Sequence, residues 1–195
     1  RFGNQMFQYA ATRGIAAWKG YEWCIPPGPK DEYGFDDEEN QHKLFMAFKL
    51  SGLKSTQVFP AKYRKESGFN FDKDLFDNCE DDVNLYGFFQ TEKYFKHIED
   101  EIREDFTFVD DILNPCKDAF GGDEMIGLHI RRTDYVQKQQ YHPLCTLEYY
   151  EEALSRMPKD MPVMIVSDDP EWCGKQELFA PDRFLISESE DNIVD

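Results

Sequence analysis

The sequence predicts an α/β protein organised on a parallel, doubly wound sheet, and three observations carry that prediction. From residue 124 onward, apolar strand-like runs alternate with amphipathic helical stretches in the order strand, helix, strand, helix, strand. The amino end opens on Gly3-Asn4-Gln5, a glycine turn feeding a helical repeat. Two polar clusters, His129-Ile130-Arg131-Arg132-Thr133-Asp134-Tyr135 and Ser167-Asp168-Asp169, follow the first two of those later strands, where open α/β sheets bind their ligands.

Taken in order, Met6, Phe7, Ala10, Ala11, Ile15, Ala17 and Trp18 recur at helical spacing, and Gly20 is the expected stop before a strand at Tyr21-Glu22-Trp23-Cys24-Ile25. Residues 26–40 turn to Pro, Gly and acid, the composition of an exposed loop. Leu44, Phe45, Phe48 and Leu50 suggest a short helix, while residues 51–82 are aromatic but weakly periodic. Val83-Asn84-Leu85-Tyr86-Gly87-Phe88-Phe89 has the run of a buried strand, and Thr91 is the expected cap of a helix with Phe95, Ile98, Ile102 and Phe106 along one face. Pro115 and Gly121-Gly122 mark a break, which sets expected domains at 1–120 and 121–195.

Beyond that break the pattern sharpens. A strand over 124–130 leads to a helix capped at Thr146, with Leu147, Tyr150, Leu154 and Met157 facing inward. Val163-Met164-Ile165-Val166 is the next strand, Asp169 caps a helix with Pro170 at its first position, and Arg183-Phe184-Leu185-Ile186 is the third strand. Right-handed crossovers make such strands parallel, so residues 129–134 and 167–169 should share one sheet edge.

Composition limits what could bind there. A formal charge of -17 and a pI near 4.6 argue against nucleic acid or an anionic membrane as the general partner. A phosphate ligand must therefore be captured by a local basic pocket. The acidic patches at 31–40 and 80–82 are expected to be solvated loops. Five widely spaced cysteines with no C-x-x-C pair fit reduced, mostly buried thiols. No signal peptide or transmembrane span is evident, which points to a cytoplasmic protein or one peripheral to a membrane; Arg1-Phe2-Gly3 and Ile193-Val194-Asp195 look like the ends of a fragment.

Arg131 and Arg132 are the natural anion clamp, because guanidinium is always charged and its planar fork matches phosphate oxygens; a solvated surface pair is the plainer alternative. Held against a diphosphate, such a pair would stabilise the charge of a departing leaving group without a metal ion. Asp168 could accept two hydrogen bonds from guanine donors or cap the following helix, a role open equally to Asp169. An Asp-Asp pair could also hold a divalent ion, although neighbouring arginines weigh against it. His129 could donate to a phosphate or sugar oxygen, or be a satisfied core residue. Asp134 could be a general base, but an acid so near two arginines is expected to pair with one and orient the clamp. Asn4 and the backbone amides of the Gly3-Asn4-Gln5 turn could face an anion, with an ordinary turn as the plainer alternative. No P-loop or G-x-G-x-x-G fingerprint is present.

Five segments together resemble the inverting alpha-1,2-fucosyltransferases, distant relatives of the protein O-fucosyltransferases and alpha-1,6-fucosyltransferases. They are residues 1–10, Gly87-Phe88-Phe89-Gln90-Thr91-Glu92-Lys93-Tyr94-Phe95, residues 128–135, His142-Pro143-Leu144-Cys145-Thr146-Leu147-Glu148-Tyr149-Tyr150, and residues 166–173. The resemblance implies an α/β, two-domain B-type glycosyltransferase with a Rossmann-like parallel sheet. Residues 1–120 would form the acceptor-side domain, and 121–195 the first part of an incomplete nucleotide-binding domain. It implies metal-independent transfer of L-fucose from GDP-fucose to a galactoside or similar 2-hydroxyl with inversion; no nucleic acid and no obligatory protein partner are expected beside the nucleotide sugar and glycan acceptor. Another GDP-sugar donor, or an inactive nucleotide- or carbohydrate-binding fragment, is the alternative. Residue by residue, Arg131 would hold the diphosphate, His129 and Asp168 the nucleotide, and Asn4 would face the donor. Gln5, Arg132, Ser167 and Asp134 lie within the same motifs and would support them. Thr133 stands where the family usually has glycine, and the family continues beyond Asp195 with a segment that completes the nucleotide site.

Overall fold

In the computed structural model, residues 2–25, 43–50, 60–120 and 124–187 are described, so the loop expected at 26–40 lies outside them. The chain is mixed α/β with two parallel sheets and divides into two compact units, Arg1–Leu113 and Asn114–Asp195.

In the first unit, α1 (Phe2–Lys19) buries Tyr9, Ala10, Ala11, Gly14, Ile15 and Ala16, positions spread round most of its circumference, so its middle is enclosed rather than buried along a single stripe. Gly3-Asn4-Gln5 is its first turn rather than a separate glycine turn. Gly14 is required by packing, since a Cβ there would lie 2.2 Å from the Tyr94 carbonyl oxygen. Residues 21–25 form no strand, and Trp23 packs edge-on against Tyr9 at 5.2 Å. After α2 (Lys43–Ala47) come β1 (Lys62–Lys65), α3 (Lys73–Asn78) and β2 (Val83–Tyr86), with β1 and β2 parallel. β2 stops at Tyr86, three residues short of the expected run. Thr91 caps a short 3-10 turn (Glu92–Tyr94) rather than an α-helix; a second such turn, Lys96–Ile98, leads into α4 (Glu99–Asp105).

The core of this unit gathers Ala11, Ile15, Leu75, Phe76, Cys79, Phe89 and Tyr94. Beside it, Asp105 is fully buried, accepts the Tyr9 hydroxyl at 2.9 Å and pairs with Arg13. Burial pushes the Tyr9 phenol up to about 12. Next, α5 (Asp110–Phe120) contains Pro115, so the proline does not end the helix as its sequence suggests. Helix interiors tolerate proline only with loss of a backbone bond.

The second unit follows its predicted order. β3 (Ile126–Ile130), β4 (Val163–Ser167) and β5 (Phe184–Ile186) form a parallel sheet in chain order. Between β3 and β4 lie a one-turn α6 (Thr133–Gln137), which the sequence did not announce, and α7 (Leu147–Ser155), capped by Thr146. α8 (Pro170–Gly174) starts at Asp169, whose carboxylate accepts the Trp172 N–H at 3.1 Å. One face of the sheet is covered: Ile130, Val163 and Ile165 pack with Tyr150 and Leu154 of α7 and Cys173 of α8. Met157 is 48% exposed and lies past the end of α7, not on its inner face. The five cysteines are free thiols, and only Cys79 and Cys173 are buried.

Candidate functional site

The parallel register aligns His129 with Val166 and Ile130 with Ser167, so both polar clusters leave the sheet at one carboxyl edge. Their side chains interlock there. Asp168 Oδ1 accepts the Arg132 backbone N–H at 2.7 Å, and Oδ2 accepts the Thr133 hydroxyl at 2.6 Å. Burial raises the Asp168 carboxyl, but the Thr133 and Arg132 hydrogen bonds, with Arg131 at 3.8 Å, outweigh it and hold the group below the ordinary aspartate range. Asp168 thus ties down the loop that carries the arginines.

The two arginines are held differently. Arg132 lies with its guanidinium 3.7 Å from the Trp172 ring centroid and its Nε 3.2 Å from Asp169 Oδ2, leaving 18% of the side chain exposed. A cation flat on an indole and paired with a carboxylate is a fixed support. Arg131 gives its Nε to Asp134 Oδ1 at 2.9 Å and is 36% exposed. Its two terminal amino groups make no hydrogen bond among the described residues. The Asp134 hydrogen bond, followed by Coulombic attraction, raises the already high Arg131 pKa. The result is a guanidinium anchored at its inner nitrogen with its outer edge open to an anion. Trp172 and Tyr135, which lies 5.6 Å from Arg131 and stacks on His142, are functional neighbours missed by sequence reasoning; their only signal was an aromatic residue close to each charged motif.

His129 is exposed, on the sheet face opposite the covered one, which excludes the buried core reading. Ser167 Oγ accepts the Asp169 N–H at 3.0 Å. Asn4 and Gln5 belong to the other unit: Asn4 Oδ1 accepts the Gln90 side-chain amide at 2.8 Å, and Gln5 Oε1 is buried without a hydrogen-bond partner among the described residues. That first unit also holds a cleft of about 480 Å³ along α1, floored by Met6, Phe7, Phe95 and Ile102. Its rim charges are spent on one another, Lys96 with Glu92 and Glu99, and Arg103 with Glu99, so it offers little to an anion. Among the described residues no three His, Cys, Asp or Glu side chains are grouped to hold a metal, and no helix is long and apolar enough to cross a membrane.

Comparison with known proteins gives the chain a family. The family model described as Glycosyl transferase family 11 matches residues 1–183. An alpha-1,2-colitosyltransferase of Escherichia coli is 27% identical, aligned over 91% of this chain and 70% of its own length. The O-antigen biosynthesis glycosyltransferase WbnK, also of Escherichia coli, is 25% identical over 87% and 60%. Galactoside alpha-(1,2)-fucosyltransferase 1 of Bos taurus is 23% identical over 89% and 50%. The chain therefore spans between 50 and 70% of the length of these relatives. No solved structure gives a match.

Proposed function

The chain belongs to glycosyl transferase family 11, and on that premise we propose that it serves inverting transfer of L-fucose from GDP-fucose to the 2-hydroxyl of a galactoside or similar sugar. The fold would be a two-domain B-type scaffold. The observation that carries the reading is the Arg131 guanidinium, fixed through Nε by Asp134 with its outer edge unengaged among the described residues, at the carboxyl edge of a parallel sheet.

The chemistry follows from that edge. As the bond between the anomeric carbon and the diphosphate oxygen breaks, negative charge grows on the leaving phosphate, and a guanidinium already in position stabilises it without reorganising. Arg132, clamped on Trp172, adds positive potential and holds the loop. Asp134 is engaged by Arg131, so its part is orientation. His129 and Ser167 would line the nucleotide, Asp168 would hold the arginine loop against it, and Asn4 with Gln5 would meet the donor. Since the arginines supply the charge, no metal is required by this scheme, and a chelator should leave the activity intact.

Replacing Arg131 by Ala in the full-length protein should lower turnover by about two to three orders of magnitude, the scale of losing one transition-state charge contact. Arg131→Lys should recover only part of it, because lysine lacks the fork that binds Asp134 and phosphate together. Unchanged transfer by the Ala variant would sink the assignment. A colitosyl donor is the second reading, favoured by the relative at 27% identity. Colitose is fucose lacking one ring hydroxyl, so parallel assays with the two donors separate them.

A further inference from the structure

One turn of the first unit, Gly87–Gln90, is held under strain, and the proposed reaction does not use it. Phe89 takes φ 52°, a left-handed conformation that a bulky residue adopts only when its surroundings force it. The force comes from Glu66, which is 7% exposed. Its Oε2 accepts the backbone N–H groups of Phe88 at 3.0 Å and Phe89 at 2.9 Å, and its Oε1 accepts the Tyr94 hydroxyl at 3.0 Å. Gly87 permits the approach, since a Cβ there would lie 2.6 Å from the Glu66 Cβ. From the other side Gln8 Nε2 donates to the Gly87 carbonyl at 2.9 Å.

What this turn displays is an aromatic face and an amide pair. The Phe88 ring is 47% exposed and stacks on Phe69, itself 80% exposed, at 6.2 Å with the planes 12° apart. Two residues on, Gln90 is exposed and donates to Asn4 Oδ1 at 2.8 Å. Asn4 Nδ2 and Gln90 Oε1 have no hydrogen-bond partner among the described residues, so the pair offers one donor group and one acceptor side by side.

We propose that the Gly87–Gln90 turn is a binding subsite for a neutral hexose, with the sugar's C–H face on Phe88 and Phe69 and its hydroxyls on the Gln90–Asn4 amides. A vicinal diol both donates and accepts, as this pair requires, whereas a phosphate or sulfate accepts only and would find no cation among the groups of the pair. The chain's net charge of -17 also disfavours an anionic glycan. Buried Glu66 positions the turn and touches no sugar. The inference rests on the glycosyl-transfer reading and deepens it: this subsite would hold the acceptor and includes Asn4, the asparagine assigned above to the donor side.

The test is saturation-transfer NMR and titration of the full chain with methyl β-galactopyranoside and lactose, with GDP titrated separately by thermal shift. Phe88→Ala and Gln90→Ala should each weaken the galactoside roughly five- to tenfold, the scale of one aromatic or polar contact, while GDP binds as in the parent. Phe69→Ala, an exposed change outside the core, should weaken the galactoside about twofold or more and decides the matter if Phe88→Ala fails to fold. Galactoside affinity unchanged in these variants overturns the proposal. A parent chain that binds GDP but no galactoside overturns it too and leaves the donor assignment standing; failure to bind GDP as well would remove both.

Discussion

Replacing Asp168 by Ala and, separately, by Asn distinguishes a carboxylate that fixes a loop from one that reads a base. Asp168→Ala deletes acceptors for the Arg132 N–H at 2.7 Å and the Thr133 hydroxyl at 2.6 Å. Hydrogen bonds to a charged acceptor contribute about 1.5–3 kcal/mol each. With the side chain 26% exposed, water can replace part of this, so the lower end applies, about 3 kcal/mol for the two. In a cooperative unit the size of Asn114–Asp195, that lowers Tm by roughly 10 °C or more. Asp168→Asn keeps an acceptor for Arg132 and can donate to the Thr133 oxygen, so it should cost only about 1 kcal/mol. Calorimetry gives both stabilities. Titration with GDP and with pyrophosphate then reads the role: a loop tie weakens both ligands by the same factor, because both depend on Arg131. Loss of GDP with pyrophosphate unaffected in Asp168→Asn would refute the loop-holding argument and return Asp168 to the base. The sign with pH follows from its depressed carboxyl. The tie contributes fully above the ordinary aspartate value of about 3.9 and is lost as the pH falls through the lower folded-state value.

Asp105→Ala should destabilise the first unit by about 3–5 kcal/mol in denaturant titration, because it leaves Arg13 and the Tyr9 hydroxyl without their buried partner; a change under about 1 kcal/mol would contradict that network. Asp72 caps α3 by accepting the Leu75 N–H at 2.9 Å, a bond that lowers its pKa. Asp72→Ala should cost about 1 kcal/mol at neutral pH, and the gap to the parent should close in acid as the parent's carboxyl becomes protonated. Thr133→Gly should leave the fold intact yet lower the melting temperature and weaken pyrophosphate binding several-fold, since the hydroxyl tie is lost and a freer residue takes its place.

The second unit was legible because its signals are local. The Thr146 and Asp169-Pro170 caps and the short apolar strands each declare themselves within a few residues, and handedness then brings the polar clusters to one edge. The first unit was not, because its contacts are distant. β1 reads Lys-Tyr-Arg-Lys, a solvent-facing strand with no apolar alternation, and only pairing with β2 makes it a strand. Conversely, the strand-like residues 21–25 form no strand, so alternation alone produced nothing. Glu66 looks like one more surface acid in a polar stretch; its partners are more than twenty residues away, and its burial follows from the turn it supports. The division of labour between Arg131 and Arg132 was equally hidden, since it depends on Trp172 sitting under one of them.

The three-stranded sheet carries a directional consequence. Its strands are added in chain order from β3 to β5, and α7 and α8 both cover the face of Ile130, Val163 and Ile165. The opposite face shows Met164 and Val166 partly buried and Leu185 45% exposed. Any further strand laid beside β5 by a right-handed crossover would place its helix on the face that α7 and α8 cover; only one laid beside β3 brings a helix to the opposite side. Covering both faces by this rule therefore reverses the direction of strand addition at β3. Such a reversal opens a crevice at the carboxyl end of the strand where it occurs, and on β3 that end is the one from which Arg131 and Arg132 emerge.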